Sequence, residues 1–320
     1  MTTGRYLLRR TAWTLFVAYL ILSATFFVFA FTPDPNQQGP QFGMSREEAE
    51  EFKSQYAAAH NYDEPLADRY VEWMTAYATL EFGYSYVRDR PVSAVLGESI
   101  PVTLAYLVPA LLFSLVGGVL LGLLAAMFRG GPLDWVVSGG AYVGMGVPAF
   151  VAAVLVTLLA GEYAGVASII QWSAERSALS AANLPALVVP AVVVALNLSA
   201  VMVRYARAES LEYLPAEFVK TLRANGARTR DVARHVLKNA SVPLFSVAVS
   251  ELLTVLFVSV IVVEVVFGIP GFGRLAFVAI EERDIGVILA TTFVPVAVGL
   301  GGNLLQDIVY AVLDPRIETE

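Results

Sequence analysis

The stretch SIPVTLAYLVPALLFSLVGGVLLGLLAAMF, residues 99–128, contains no charged side chain. An α-helix crosses the hydrocarbon layer of a bilayer in about 20 residues, so a run of this length predicts a membrane-spanning helix. The apolar region Val242–Gly268 contains only two charged residues, Glu251 and Glu264, and four further runs contain none. The sequence therefore predicts an all-α polytopic membrane protein with about six transmembrane helices. The four other uncharged runs, each of 22 residues or more, are Thr11–Pro33, Trp135–Gly161, Ser177–Val203 and Ile285–Gln306.

The composition agrees with a membrane protein and argues against several kinds of site. Charged residues make up 15% of the 320 residues, against about 25% in soluble domains. The chain has no cysteine, which excludes disulfides, thiolate metal sites and a cysteine nucleophile. It has only two histidines, His60 and His235. We therefore expect no metal site and no catalytic residues.

The distribution of charge predicts the orientation of the spans. Residues 32–98 contain 12 Asp and Glu against five Lys and Arg, whereas residues 204–240 contain eight Lys and Arg against four acids. Residues 1–10 add three arginines, and the apolar run that follows is too long for a cleaved signal peptide. Because short basic loops stay in the cytoplasm, both termini are expected inside and residues 32–98 outside.

These features divide the chain into three predicted parts. Residues 1–31 form a basic cytoplasmic N-terminus and the first transmembrane helix, and residues 32–100 form an external polar segment with an interfacial helix. Residues 101–320 form a five-helix core. This core includes a long cytoplasmic loop at 204–241 and an external turn at 267–285.

Local signals predict details within these parts. Ser45 and Glu48 have the spacing of a helix-capping box. Small residues let helices approach closely in a membrane, and two of the predicted spans are rich in glycine. The glycines in question are Gly117, Gly118, Gly122, Gly139, Gly140, Gly144 and Gly146.

The cytoplasmic loop contains EFVKTLRANGARTRDVARHVLKNA, residues 217–240, which we call the cytoplasmic hairpin. Gly226 suits the left-handed position that ends a helix. Thr229 can cap a second short helix, and Pro243 is expected to open the fifth span. An apolar stripe with a charged rim is typical of an interaction site, although a plain anchor to lipid headgroups is the alternative. The stripe consists of Phe218, Val219 and Leu222.

A second informative stretch is EVVFGIPGFGRL, residues 264–275, whose glycines and proline cannot continue a helix. It is either a simple connecting turn or a functional element of the external face. The acidic residues beside it are unusual, because a charge at mid-bilayer costs about 2.5–3.5 kcal/mol on insertion scales. Glu251 and Glu264 are therefore candidates for a transport path or for a structural role. On a regular helix, their separation of 13 residues places them on different sides.

Both stretches resemble the ABC-transporter inner-membrane permeases of the dipeptide, oligopeptide and nickel import family. The hairpin is similar to the EAA-type coupling loop of that family, although Lys220, Thr221 and Leu222 replace the letters E-A-A and only Gly226 is kept. The similarity extends almost from end to end. Its other segments are RYLLRR (5–10), NYDEPLADRYVEW (61–73), LEFGYSYVRDRPV (80–92), VVEVVFGIPGFGRL (262–275) and LDPRI (313–317).

The resemblance implies a mechanical role for both stretches. The hairpin would seat in a cytoplasmic ATPase through Glu217, Phe218, Val219, Lys220, Leu222, Arg223, Gly226 and Arg234, and would move spans 4 and 5 as a lever. The external turn would form a gate from Phe267, Gly268, Pro270, Gly271, Phe272, Gly273 and Arg274. Glu251 and Glu264 remain the translocation-path candidates.

The resemblance also implies the partners of this multi-pass cell-membrane protein. They are a second homologous permease, two ATPase subunits that carry ATP and Mg, an external binding protein and the lipid bilayer. The chain itself lacks a G-x-x-x-x-G-K-[ST] phosphate loop, so it is expected to be a transport subunit without an ATPase site or a bound cofactor. Nucleic-acid binding is not expected, because the basic loop lacks interleaved aromatic residues.

The cargo stays open at this point. A dipeptide or oligopeptide is the first expectation, and a sugar or a metal chelate is the alternative within the family. A proton-coupled secondary transporter that uses Glu251 and Asp307 is a further alternative, but internal repeats are typical of that class and none stands out here. An intramembrane enzyme would need a catalytic constellation at span depth, and neither histidine lies in a span.

Overall fold

A computed structural model of the chain describes residues 3–32, 45–59, 61–85, 87–162, 172–173, 179–181 and 183–313. His60, part of the external segment and LDPRI beyond Leu313 lie outside these residues. The regular secondary structure of the described chain is helical apart from one short antiparallel β-hairpin, β1 (Tyr84–Ser85) with β2 (Arg90–Pro91). An all-α polytopic fold is therefore confirmed.

The helices of the first half of the chain are α1 (Thr3–Phe31), α2 (Arg46–Ala59), α3 (Leu66–Ala78), α4 (Val92–Met127), α5 (Pro132–Gly146) and α6 (Ala149–Glu162). Those of the second half are α7 (Leu184–Tyr213), α8 (Glu217–Ala224), α9 (Thr229–Thr254), α10 (Val260–Phe267), α11 (Phe272–Glu282) and α12 (Ile285–Leu313). One π-helical turn, Val255–Ser259, joins α9 to α10.

Five helices are long and apolar enough to cross a membrane, namely α1, α4, α7, α9 and α12. The pairs α5 with α6 and α10 with α11 pass the same test but are bent, so the described residues hold between five and seven candidate spans. The third predicted span, in the uncharged run Trp135–Gly161, is thus a helix pair with a 90° bend. The break is at Val147, whose extended backbone (φ −103°, ψ 107°) is the conformation that the following Pro148 favours.

The described residues form two compact units. The larger unit contains those of Glu98–Arg274 and Gly301–Glu320, and the smaller unit contains those of Thr2–Gly97 and Leu275–Leu300.

In the larger unit, α4 and α7 pack at close range because glycines face the partner helix. A Cβ atom on Gly118 would lie 2.6 Å from the Cβ of Met202, and one on Gly122 would lie 2.5 Å from the carbonyl oxygen of Val203. Gly144 of α5 approaches α7 in the same way, whereas a Cβ atom on the predicted glycines 139, 140 and 146 would meet no described atom within 4 Å outside the adjacent backbone. Of the predicted glycines, Gly118 and Gly122 of α4 and Gly144 of α5 therefore pack closely against α7.

The largest apolar core of this unit joins α4 and α7 to α10. Its members on α4 include Val102, Tyr106 and Leu107, and those on α10 include Val260, Val263 and Phe267. A smaller core lies beneath the cytoplasmic hairpin and contains Leu123, Val219, Val232 and Val236.

In the smaller unit, aromatic side chains hold α1 against α3. The ring of Phe26 lies 5.3 Å from that of Tyr70, whose hydroxyl group is hydrogen-bonded to Ser23 at 2.7 Å. The capping box of α2 is confirmed, because the backbone N–H of Ser45 donates to the carboxylate of Glu48 at 2.7 Å and the N–H of Glu48 donates to Ser45 Oγ at 3.3 Å.

The interfacial helix expected before the second span is not a separate element. Val92 begins α4, which continues without a break to Met127. Val92, Val95 and Leu96 have the spacing of one helix face, and all three are buried. Pro101 does not end the helix there, so this face belongs to the first turns of a 36-residue helix.

Candidate functional site

The cytoplasmic hairpin forms around Gly226, as its sequence predicts. The glycine has φ +76°, a left-handed conformation that side chains with a Cβ disfavour. The N–H of Gly226 donates to the carbonyl of Arg223, and that of Ala227 donates to the carbonyl of Leu222, both at 3.0 Å. These two bonds satisfy carbonyl groups at the end of α8 and fix the angle at which the chain leaves it.

Two predicted details of the hairpin are wrong. Arg228, not Thr229, occupies the capping position of α9, because its N–H donates to the carboxylate of Asp231 at 3.1 Å. Pro243 does not open a new helix but lies inside α9, which runs from Thr229 to Thr254. A proline removes only one helical hydrogen bond, and the helix continues through this loss. The second arm of the hairpin and the apolar helix beyond Pro243 are consequently one continuous element.

The apolar stripe of α8 faces its own chain. Val219 is fully buried and packs with Leu123 of α4 and with Val232 and Val236 of α9. The expected contact of Val219 with a partner is therefore corrected: this side chain anchors α8 within the chain. Half-buried Phe218 packs on the same cluster.

The rest of the predicted coupling set stays on the surface. An exposed ion pair of 2.6 Å joins Lys220 to Glu217 on α8. The hairpin thus presents a charged, solvent-exposed edge on a helix that is fixed from below. The residues with exposed side chains are Glu217, Lys220, Arg223 and Arg234, while Leu222 is half-buried.

The external turn is organised by the carboxyl group of Glu264, which is fully buried. This group accepts hydrogen bonds from the hydroxyl of Thr103 at 2.5 Å and from that of Tyr106 at 3.0 Å. The backbone N–H of Arg274 donates to its second oxygen at 3.0 Å. Thr103 Oγ1 in turn accepts the N–H of Phe272 at 2.8 Å. Glu264 therefore joins α4 to both ends of the turn.

The glycines of the turn are required by this arrangement. A Cβ atom on Gly271 would collide with the carboxyl group of Glu264, and one on Gly273 would lie 2.6 Å from the backbone nitrogen of Ile261. Gly268 has φ +67° and ends α10. The Arg274 side chain donates to the carbonyl of Gly268 at 2.8 Å and closes the turn.

The remaining predicted gate residues divide into buried and exposed positions. Phe267 and Phe272 are buried, whereas Pro270 is exposed at the tip. Glu264 is buried and accepts three hydrogen bonds, which favours a structural role over an open position on a transport path. Glu251 is half-buried in α9.

The relative placement of Glu251 and Glu264 differs from the sequence expectation. That expectation assumed a regular α-helix between them, but the π-helical turn Val255–Ser259 intervenes. A π-helical turn contains more residues than an α-helical turn, so the angular relation changes. Such turns are frequent at functional sites.

Sequence reasoning missed an ion pair in the larger unit. The Arg207 guanidinium near the end of α7 binds Asp134 in the first turn of α5 through two bonds, of 2.7 and 2.9 Å. Asp134 also accepts the N–H of Gly130 at 2.9 Å and the hydroxyl of Ser138 at 3.0 Å. The only local signal in the sequence for this pair was Asp134 itself, an acidic residue that follows Pro132 in the first helical turn. Its partner lies 73 residues away, which no local pattern indicates.

A second missed cluster lies in the smaller unit, where the β-hairpin meets the start of α12. The hydroxyl of Ser85 donates to buried Asp284 at 2.5 Å, and Arg88 forms ion pairs of 2.7 Å with Asp284 and 2.6 Å with Glu282. Asp284 also accepts the N–H of Val287 at 3.3 Å, in the first turn of α12. The cluster ties the quoted segment 80–92 to the end of the external turn.

No group of three or more His, Asp or Glu side chains within the described ranges is arranged to hold a metal ion.

Comparison with known proteins gives a consistent result along the chain. Residues 118–319 match the family described as the binding-protein-dependent transport system inner membrane component. The chain is 27% identical to a dipeptide transport system permease protein of Lactococcus lactis, with 98% of this chain and 99% of the relative covered. A dipeptide transport system permease protein of Bacillus subtilis is also 27% identical, with 98% of each covered. A putative peptide permease protein of Brucella suis is 31% identical, with 98% and 99% covered.

Proposed function

The chain belongs to the family of binding-protein-dependent transport system inner membrane components, and on that premise we propose that it is the permease subunit of an ATP-driven peptide importer in the cell membrane. The proposal of a peptide cargo rests on relatives that are named as dipeptide or peptide permeases and that match nearly the whole chain. A second permease subunit would complete the pathway, and an external binding protein would deliver the peptide.

The hairpin is the surface on which a separate ATPase subunit would dock. One observation carries this assignment: α8 has only eight residues, yet its buried Val219 fixes it to α4 and α9 while its charged edge remains exposed. A helix this short is not stable alone in water. Its packing against α4 and α9 therefore holds α8 in place, so that a docked partner would contact a fixed helix.

The charge distribution supports a cytoplasmic location for that surface. The segment 204–240 carries eight Lys and Arg against four acids, and basic loops remain inside. ATP and Mg would be bound by the ATPase subunits, because the chain has no phosphate-binding loop of its own. Nucleotide-driven closure of the two ATPases would then displace the hairpin.

The external turn would act as the gate. Its glycines and its bonds to Glu264 give it one defined packing against α4. Packed elements of this kind change between discrete arrangements and do not deform gradually. Docking of the loaded binding protein together with movement of the hairpin would release this packing.

Co-purification of the ATPase subunits tests the docking assignment. The double variant Lys220→Glu with Arg223→Glu reverses the charge of the α8 edge, and we expect it to lose the ATPase subunits. Lys53→Glu is the matched control, because Lys53 is exposed on α2 in the segment predicted outside. Equal recovery of the ATPase subunits with the unmodified protein, the double variant and the control would contradict docking at the hairpin.

A further inference from the structure

We propose that α4 carries the movement of the hairpin to the external turn, and that Thr103 is the residue that positions the turn for this purpose. The inference rests on the proposed function and goes beyond it, since the sequence predicted a lever that acts on the fourth and fifth spans. The structure assigns α4 because it contacts both of the functional elements.

The contact at the cytoplasmic end is apolar. Leu123, in the last turns of α4, is buried and packs with Val219 of α8 and with Val232 and Val236 of α9. Met127 packs on the same cluster. A displacement of α8 therefore presses directly on the end of α4.

The contact at the other end is polar. The single hydroxyl group of Thr103 donates to Glu264 at 2.5 Å and accepts the N–H of Phe272 at 2.8 Å. It thus touches the last helical segment before the turn and the first residue of the helix after it. Tyr106, one helical turn further along α4, adds a third bond at 3.0 Å. Both side chains are buried, so water does not compete for these bonds.

The two contacts lie at a suitable separation on α4. Thr103 and Leu123 are 20 residues apart, which at 1.5 Å per residue is about 30 Å. This is the thickness of the hydrocarbon core, about 30 Å. Between them, Gly118 and Gly122 are pressed against α7. One helix therefore joins an element predicted at the cytoplasmic face to an element predicted at the external face.

A competing route exists along the covalent chain, through α9 into α10. The π-helical turn Val255–Ser259 interrupts the regular helix on that route, whereas α4 has no such interruption. Pro109 removes one hydrogen bond from α4 but leaves the helix continuous from Val92 to Met127. Spatial continuity alone does not demonstrate coupling, so the two routes have to be separated by experiment.

The absence of cysteine from the chain makes a clean reporter available. Pro270→Cys places one thiol at the exposed tip of the turn. The complete importer, with cysteine-free partner subunits, is reconstituted in lipid vesicles. The rate of labelling by a membrane-impermeant maleimide is measured with and without ATP and vanadate. The reporter is combined with Thr103→Val, which keeps the shape but removes the hydroxyl, and with Thr103→Ser, which keeps the hydroxyl.

We expect nucleotide trapping to change the labelling rate at least fivefold in the reporter protein and in Thr103→Ser. In Thr103→Val and in Leu123→Ala the change should fall below twofold. A full change in Thr103→Val would overturn the inference and favour the route through α9. No change in the reporter protein itself would instead contradict the proposed function.

If Thr103→Val does not assemble into the importer, the same labelling measurement is made with Tyr106→Phe. This variant removes one of the three bonds to Glu264 and keeps the ring. A reduced nucleotide-dependent change supports the role of α4, and an unchanged one contradicts it.

Discussion

The carboxyl group of Glu264 accepts a hydrogen bond of 2.5 Å from the hydroxyl of Thr103, 161 residues earlier in the chain. This bond brings two helices together at the base of the external turn. It also explains why an acidic residue is tolerated in an apolar helix. Three donors from the chain surround the carboxyl group, and a buried polar group is costly only when it lacks partners.

Replacement of Glu264 by Ala is predicted to destabilise the protein. Thr103, Tyr106 and the N–H of Arg274 would lose their acceptor, and an unsatisfied buried donor costs about 1–3 kcal/mol. Thermal unfolding of the purified protein in detergent measures the effect. Glu251→Ala is the control, since Glu251 is only half-buried. An equal loss of thermal stability in the two variants would argue against Glu264 as the organising residue.

Replacement of Gly271 by Ala is predicted to impair import more than it lowers expression. The added methyl group would collide with the carboxyl group of Glu264 and push the turn away from α4. Gly301→Ala is the matched control, because among the described residues its added Cβ would meet no atom within 4 Å outside the adjacent backbone of its own helix. Peptide uptake into vesicles distinguishes the two, and similar uptake by both would refute this role of Gly271.

Replacement of Gly226 by Pro is predicted to abolish the stimulation of ATP hydrolysis by the loaded binding protein. Proline fixes φ near −65°, whereas the native value is +76°. Gly226→Asn should retain most of the stimulation, because asparagine tolerates the left-handed conformation. Stimulation that persists unchanged in Gly226→Pro would count against the hairpin as the coupling element.

The pair Asp134 and Arg207 is predicted to stabilise the junction of α5 and α7. A double-mutant cycle with Asp134→Asn and Arg207→Gln should give a coupling energy of about 0.5–3 kcal/mol, as found for residues in direct contact. Thermal or denaturant unfolding supplies the four values. Strictly additive effects would show that the two bonds of 2.7 and 2.9 Å contribute little.

Features that depend on a few neighbouring residues could be predicted from the sequence. The capping box of Ser45 and Glu48 and the left-handed Gly226 are set by spacing and by local backbone geometry. The apolar helices follow from long uncharged runs. The continuity of α9 through Pro243 could not be predicted, because a proline can either begin a helix or lie within one.

Features that depend on distant residues could not be predicted. Thr103 has no local signal that marks it as the partner of Glu264, and the burial of Val219 follows only from the packing of α8 on α4 and α9. The sequence indicated two candidate functional stretches, the hairpin and the external turn. The tertiary structure showed which of their side chains are buried within the chain and which are exposed.

Peptide uptake by reconstituted vesicles tests the central claim most directly. Vesicles that contain this chain, a second permease and the ATPase subunits are supplied with the external binding protein and a labelled peptide. The account predicts uptake that requires both ATP and the ATPase subunits and that disappears in Gly226→Pro. Uptake that proceeds without ATPase subunits, driven by a proton gradient, would contradict it and would favour a secondary transporter.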